Sequence, residues 1–388
     1  MNKTKNAILT LLIMSIIIMS TILTGCGNTT DGTQDETQEV VEIGVLLPLT
    51  GAGAAYGDIY RKAALEYETN INKEGTKIKL IIEDNKMDPK ETVSIVQKMK
   101  AEGVEVFFVP FSGPSMALEE FAKNKEIILL ANNYDSEYAS KQEYIFNGAN
   151  SELQYAIKLI SQEIKENEKC EKITFHSVNV PLAEPSFKTL NDNLDAEIGK
   201  DIVNVGEKDY NTLIAKMKNE NIKCMTMSTY DFMATNVFKQ LIERNYEGLD
   251  IYLLNGKDSV NLNTMDKMIP DFEEYNINIY TADFAIDELT DSANAEKWRK
   301  DLVLEHPELK DSVFVQQVYD TLEAFTSKLD KCDEFSKQCM VDNMRDSYFE
   351  GSTNKETYVN ENGDIINRRF VLFQNNGLKG FDQIKALN

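Results

Sequence analysis

An α/β protein of two doubly wound lobes is predicted by three observations on this sequence. Short apolar segments alternate with amphipathic ones along nearly the whole chain, and the alternation runs in two successive series. After an N-terminal leader and tether, roughly 350 residues remain, too many for one core and suited to two. Apolar strands joined by helices mean a parallel sheet covered on both faces.

The first series opens with Ile43 to Leu47 as a strand. Asp58 to Asn72 follows as a helix, with Ile59, Ala63, Ala64, Tyr67 and Ile71 near helical spacing. Ile78 to Ile82 is the next strand. Asp88-Pro89-Lys90-Glu91 then gives an N-cap, a proline at the first helical position and a capping-box acid, and Gly103 marks the far end. Val104 to Val109, a helix from Ser115 to Asn124, and Ile127 to Ala131 complete the series. The second runs from Ser151: a helix to Glu166, strand Lys172 to Ser177, helix Glu184 to Ile198, strand Ile202 to Val205, helix Asp209 to Asn219 and strand Ile222 to Met227. Helix Phe232 to Tyr246, strand Leu249 to Leu254 and a short helix after Asp258 extend it. From Ile277 come one strand, helices Ala293 to Leu304 and Ser312 to Leu329, and a polar hairpin-like stretch around Asn362-Gly363. These late elements read as able to return to the first lobe. Trp298, the single tryptophan, sits on a charged helix and reads as peripheral.

The first 25 residues read as a secretory leader. Lys3 and Lys5 precede an apolar run from Ala7 to Leu23, and Leu23-Thr24-Gly25-Cys26 is a lipobox, so Cys26 is expected to carry lipid at the mature N-terminus. A plain membrane-spanning anchor is the alternative, but it leaves Cys26 without a role. Residues 26–39 form a polar tether, because Gly27 to Glu39 holds only Gly, Asn, Thr, Asp, Gln and Glu. The expected location is extracytoplasmic, on the outer face of the cell membrane.

Charge excludes other classes. The formal net charge of −23 becomes −25 once Lys3 and Lys5 leave with the leader, which argues against nucleic acid and against broad contact with anionic lipid. Cys170, Cys224, Cys332 and Cys339 remain after Cys26 is assigned, in a compartment where disulfides persist. Cys332 and Cys339 are close enough in sequence to pair, and the state of the other two is left open. His176 and His306 are the only histidines and neither stands beside a cysteine, so no zinc spacing exists and no metal is expected.

Enzymatic signals are weak. Gly51-Ala52-Gly53 follows a strand, but the next glycine, Gly57, is one position too late for a dinucleotide fingerprint, and no GK[ST] follows. A turn between strand and helix is the simpler reading, and no cofactor is expected. Ser112, Ser115 and Ser186 lack a nucleophile elbow, and neither histidine has a carboxylate partner evident in sequence. What remains are two polar stretches at the carboxyl ends of neighbouring strands, Ser112-Gly113-Pro114-Ser115 and Ala131-Asn132-Asn133-Tyr134. Ligands bind at that edge of open α/β sheets.

Here the residues carry a resemblance. Ile43-Gly44-Val45-Leu46-Leu47-Pro48-Leu49-Thr50-Gly51 with Ala54-Ala55-Tyr56-Gly57 resembles the opening of the type I periplasmic binding proteins of the leucine/isoleucine/valine-binding family. Glu83-Asp84, Asp88-Pro89, the Ser112 to Ser115 turn, Ser312 to Val315 with Tyr319-Asp320, and Phe349 to Thr353 with Asn362-Gly363-Asp364 continue it in order. The resemblance covers essentially the whole mature body, and the lipobox fits the family's lipoprotein form. It implies a non-enzymatic receptor with two Rossmann-like lobes joined by three hinge crossings. Those lobes would close on a small ligand and deliver it to the permease and ATPase subunits of an ABC importer. Lobe 1 would comprise 40–148 and 280–332, and lobe 2 149–279 and 333–388. A sensor domain serving a membrane signalling partner is the alternative.

Carried over by position, the Ser112, Gly113 and Ser115 turn and the Asn132, Asn133 and Tyr134 stretch would grip a ligand carboxylate. Tyr56 and Phe314 would wall the side-chain pocket and Tyr230 would cover the ligand. Asp258 lies within one place of the acid that pairs with a ligand ammonium, with Lys257 competing for that place. Bland roles stay open: core or hinge packing for Tyr56 and Phe314, turn chemistry for the asparagines, and a helix cap for Asp258. The sequence also departs from the family. Two asparagines and Tyr134 take the place of the family's usual serine or threonine near Asn133, and Val180-Pro181 replace an aromatic-glycine pair. The expected ligand is therefore an amino acid or a related small polar molecule, with amides, ureas and peptide-like compounds included.

Overall fold

The computed structural model describes residues 40–133, 138–148, 150–180, 182–256, 266–284, 293–310, 312–352, 356–366, 370–375 and 381–387. The leader, Cys26 and the tether, and with them Tyr134, Pro181, Lys257 and Asp258, lie outside the described residues.

Five strands make the first sheet: β1 Val41–Leu47, β2 Ile78–Asp84, β3 Val106–Val109, β4 Ile128–Ala131 and β5 Ile145–Asn147, in the order β2-β1-β3-β4-β5. Every pairing in it is parallel. β3 and β4 are buried at each residue, as a sheet covered on both faces requires. Between the strands lie α1 Ala54–Glu74, α2 Pro89–Ala101, α3 Ser112–Met116 and α4 Glu119–Lys123. Asp88 caps α2 as expected, its carboxylate accepting from the amides of Lys90 at 2.7 Å and Glu91 at 3.0 Å. The single helix expected from Ser115 to Asn124 is two short ones. Pro114, with φ preset for a first helical turn, starts α3 early, and the fully buried Leu118 stands between the two helices.

The second series gives α5 Asn150–Glu166, β6 Lys172–Val178, α6 Ala183–Asn193, β7 Glu197–Val203, α7 Asn211–Asn219, β8 Cys224–Ser228, α8 Asp231–Glu243, β9 Asp250–Leu253, α9 Ile269–Glu274 and β10 Asn278–Phe284. The helix expected to reach Ile198 stops at Asn193. Ile198, Ile202 and Val203 are β-branched and pair with β6 instead. The chain then makes α10 Ala293–Glu305, α11 Val313–Thr326, α12 Lys337–Met344, a small antiparallel sheet of β11 Ser347–Phe349, β12 Thr357–Val359 and β13 Ile365–Ile366, and last β14 Phe370–Asn375 and β15 Phe381–Leu387. The expected hairpin at Asn362-Gly363 is β12–β13. The second sheet has the order β15-β14-β10-β9-β8-β6-β7, with β14 and β15 antiparallel at one edge.

Hydrogen bonds place the lobe boundaries differently from the expected 280–332 and 333–388. β10, Tyr280 and Thr281 included, pairs with β9, so 280–284 lies in the second sheet. Residues 337–366 stay with the first lobe: Lys337 pairs with Glu105, Tyr144 donates to Gln338 at 2.7 Å, and the Arg345 guanidinium donates to the carbonyls of Glu143 and Ile145. Only β14 and β15 go back to the second. Such cross-chain polar contacts leave no periodic trace in sequence. The chain passes between the lobes three times, before α5, before α10 and before β14.

Among the described residues two disulfides are formed. Cys170–Cys224 joins the residues just ahead of β6 to the start of β8, with Cα atoms 5.2 Å apart, and Cys332–Cys339 closes a short loop at 6.1 Å. Trp298 is not peripheral. With Ala295 and Leu302 it forms the buried face of α10, and its ring lies 4.9 Å from that of Tyr319.

Glu323 on α11 accepts a hydrogen bond from the Tyr67 hydroxyl at 2.6 Å. Desolvation is the largest effect on its carboxyl, and with the nearby Glu74, Glu350 and Asp320 it outweighs that bond and pushes the pKa up to about 7 from an ordinary 4.5. A folded-state value above the unfolded one means a stabilising contribution that is full below pH 4.5 and lost as pH rises through about 7. Glu323→Gln is therefore expected to flatten the melting-temperature profile across that window and to raise the melting temperature above it. Parallel profiles for the variant and the parent would contradict this assignment.

Candidate ligand-binding site

The cleft is built at the carboxyl ends of strands from both sheets, the edge at which open α/β folds hold ligands. Tyr56 and Tyr60 stand on the first turns of α1 beyond β1, Met87 follows β2, and Phe111, Ser112 and Gly113 follow β3. From the second lobe, Val178 and Val180 lie at the end of β6, Thr229 and Tyr230 follow β8, and Asn255 follows β9. Phe314 enters from the first turn of α11. Together they enclose a cavity of about 230 Å³.

The loop that sets α1 is tightly held. Asp84 accepts from the Leu49 amide at 2.9 Å and from the Thr50 hydroxyl at 2.5 Å, and Gly51 takes φ +81°. The glycines read with doubt as a phosphate cradle thus serve a turn. Gly57 allows α1 to approach the chain, since a Cβ there would meet the Pro48 carbonyl oxygen at 2.2 Å. Gly57→Ala is expected to displace the first turn of α1 and cost about 1–3 kcal/mol of stability. Chemical denaturation checks it, and an unchanged midpoint would show that the loop yields freely.

Aromatic rings form the body of the cavity. Tyr56 meets Phe314 edge-on at 5.5 Å and Tyr230 at 6.0 Å, and Tyr60 lies 5.4 Å from both Phe111 and Phe314. Tyr60 is anchored from behind, donating to Gln317 at 2.6 Å. The lobes also touch directly. The Tyr56 hydroxyl donates to Asp231 Oδ1 at 3.1 Å and accepts from the Asp231 amide at 3.0 Å, while the Tyr230 hydroxyl reaches Met87 Sδ at 3.8 Å. Burial raises the Tyr230 phenol above its ordinary pKa, so it stays a neutral donor.

Of the residues singled out from sequence, Tyr56, Ser112, Gly113, Tyr230 and Phe314 line this cavity. Ser115, Asn132 and Asn133 do not; they are fully buried beneath it. Asn133 donates to Ser115 Oγ at 3.2 Å, its amide nitrogen donates to Asn147 Oδ1 at 2.7 Å, and Asn132 Oδ1 accepts from Thr321 at 2.9 Å. The Asn133 main chain, held by the Asn147 side chain, ties the end of β4 to β5, and the Asn132 side chain ties it to α11. Tyr134 and Asp258 lie outside the described residues. Thr229 and Asn255 were not singled out, although the strand-end rule applied to β8 and β9 points to both. His176 does have a carboxylate partner, Asp201 at 2.7 Å on the adjacent strand, but neither residue lines the cleft.

Comparison with known proteins agrees with this architecture. A model of the periplasmic binding protein family matches residues 40–377. The chain belongs to that family. Its members are extracytoplasmic solute-binding proteins rather than enzymes, and the fold is the type I periplasmic binding protein fold. Over 267 residues the chain is 27% identical to Leu/Ile/Val-binding protein homolog 1 of Brucella abortus, covering 66% of this chain and 70% of that protein. The isoleucine complex of a branched-chain amino acid transporter substrate binding protein from Streptococcus pneumoniae superposes with a TM-score of 0.74 at 18% identity. That match covers 89% of this chain and all of the other. An ABC transporter solute binding protein from Rhodopseudomonas palustris, in complex with 3,4-dihydroxy benzoic acid, gives 0.74 at 16% identity, covering 90% and 97%.

Proposed function

We propose that this chain is the solute receptor of an ABC importer, tethered outside the cell membrane by a lipidated Cys26, and that it holds one small organic molecule between its lobes for delivery to a permease. The observation that carries the reading is the cavity itself, walled by rings from both lobes that also bond to each other across it. A ligand filling it would add contacts to both lobes at once and so favour their closure. The relatives point the same way, being named for leucine, isoleucine and valine binding or solved with isoleucine or an aromatic acid. Those two bound molecules are compact carboxylic acids with an apolar body, which suits a cavity with an aromatic wall and few polar groups.

The anchor reading rests on the lipobox. Among the described residues no helix is long and apolar enough to cross a membrane. Cys26→Ser should release the protein from membrane fractions, whereas retention of the variant would contradict lipidation. A thermal-shift screen of the full chain against amino acids, amides, ureas and aromatic acids tests the receptor. A ligand at about 100 times its dissociation constant adds roughly 2.7 kcal/mol to folded-state stability. A shift from one compound class supports the reading, and none across the panel counts against it.

A further inference from the structure

We propose that Met87 sets the size of the apolar ligand body that the cleft accepts, and that a strained turn after β2 holds it there. This rests on the receptor reading. Lys86 and Met87 take φ of +55° and +61°, two adjacent left-handed residues of which neither is glycine. A Cβ is costly in that region, and a bulky side chain there needs compensation. The compensation is visible in the hydrogen bonds. The Lys86 backbone amide donates to Asp84 Oδ1 at 2.9 Å, that of Met87 to Asn85 Oδ1 at 3.0 Å, and that of Asp88 to the Asn85 carbonyl at 2.8 Å. Asn85 is itself fully buried, and its backbone amide donates to the Leu47 carbonyl at 2.9 Å. The surroundings thus over-determine a conformation that the two residues would not choose, the pattern of strain kept at functional positions.

What the turn delivers to the cleft is the Met87 side chain. Met87 is half-buried and lines the cavity, whereas Lys86 beside it is exposed. The methyl end of Met87 rests over Gly53, where a Cβ would come within 2.9 Å of Met87 Cε. Its sulfur lies 3.8 Å from the Tyr230 hydroxyl of the second lobe. The side chain therefore runs from the start of α1 across to the opposite lobe. A thioether is unbranched and polarisable, so it conforms to an apolar neighbour, while the rings of Tyr56, Tyr60, Phe111 and Phe314 have fixed shapes. Its length limits how far an apolar body extends on the side of β2, and its contact with Tyr230 ties that limit to lobe closure. In an apolar pocket such a limit discriminates ligands by size.

Calorimetric titration of the full chain with two size-graded pairs tests this: isoleucine against phenylalanine, and benzoate against 2-naphthoate. Within each pair the head group is shared and the apolar body grows. Met87→Gly is expected to shift the affinity ratio toward the larger member by about tenfold or more in at least one pair. Met87→Leu, which keeps the bulk, should hold the parent's ratio. Ligand-free melting temperatures report the strain. Met87→Gly and Met87→Ala both remove the thioether, but only Ala keeps a Cβ on left-handed backbone. The glycine variant is therefore expected to melt higher, against the usual order of the two residues. An unchanged ratio in Met87→Gly, or an equal loss for every compound that binds, overturns the role in specificity. A glycine variant that melts at or below the alanine variant overturns the strain. Binding of none of the four compounds rejects an apolar body held against Met87. A polar amide, urea or peptide that then stabilises the chain leaves the receptor reading standing, whereas failure of every compound in the wider panel removes both.

Discussion

Tyr56→Ala is expected to weaken ligand binding by about 2–4 kcal/mol, roughly 30- to 1000-fold in dissociation constant. Three losses combine in that change. The ring that packs on Phe314 and Tyr230 disappears, the cavity opens on the side of α1, and the hydroxyl that bonds Asp231 is gone. Tyr56→Phe separates these effects, since it keeps the ring and removes only the hydroxyl that bonds Asp231. It should cost about 1–3 kcal/mol, the usual worth of the two hydrogen bonds that the hydroxyl makes to Asp231. Titration calorimetry with the best compound from the thermal-shift panel measures both, with the ligand-free melting temperature as control. Unchanged affinity in Tyr56→Ala with a lowered melting temperature would make Tyr56 a packing residue.

Loss of the Cys170–Cys224 bridge should give the largest stability change outside the cleft. It links residues 54 apart in the chain and ties the start of β6 to β8 near the middle of the second sheet. Removing a link of that span frees the unfolded chain by about 2–4 kcal/mol. Cys332–Cys339 spans only 7 residues, so the same chain-entropy argument makes its loss smaller by about 1–2 kcal/mol. Denaturation of Cys170→Ala/Cys224→Ala beside Cys332→Ala/Cys339→Ala compares them. Equal losses, or a larger loss for the short loop, would show that strain or packing sets the order and not loop closure.

Local signals in the sequence were legible where a single chemical rule governs them. Asp88-Pro89 caps and starts α2, apolar β3 and β4 lie inside the sheet, and Asn362-Gly363 turns the β12–β13 hairpin. Boundaries that depend on distant partners were not. β10 belongs to the second sheet because of β9, and 337–366 belongs to the first lobe because Arg345 and Lys337 reach back to residues about 200 positions earlier. The same distinction runs through the cleft. Tyr56, Tyr230 and Phe314 could be named from their order in a family pattern, and all three line the cavity. Asn132 and Asn133 carry the polarity of binding residues, yet the Thr321 hydroxyl donates to Asn132 Oδ1 and the Asn133 side chain donates to Ser115 Oγ, both away from the cavity wall. Only the fold shows which buried polar atoms have partners and which residues face the cavity.

The central claim is that one small molecule occupies the cleft between the lobes. Isothermal titration at several temperatures, using the full chain and the compound that stabilises it most, tests this most directly. The account predicts saturable one-to-one binding, a negative heat-capacity change from burying an apolar body, and at least a tenfold loss of affinity in Phe314→Ala. Binding that is non-saturable, or that Phe314→Ala and Tyr56→Ala leave untouched, would place the ligand elsewhere and contradict the account.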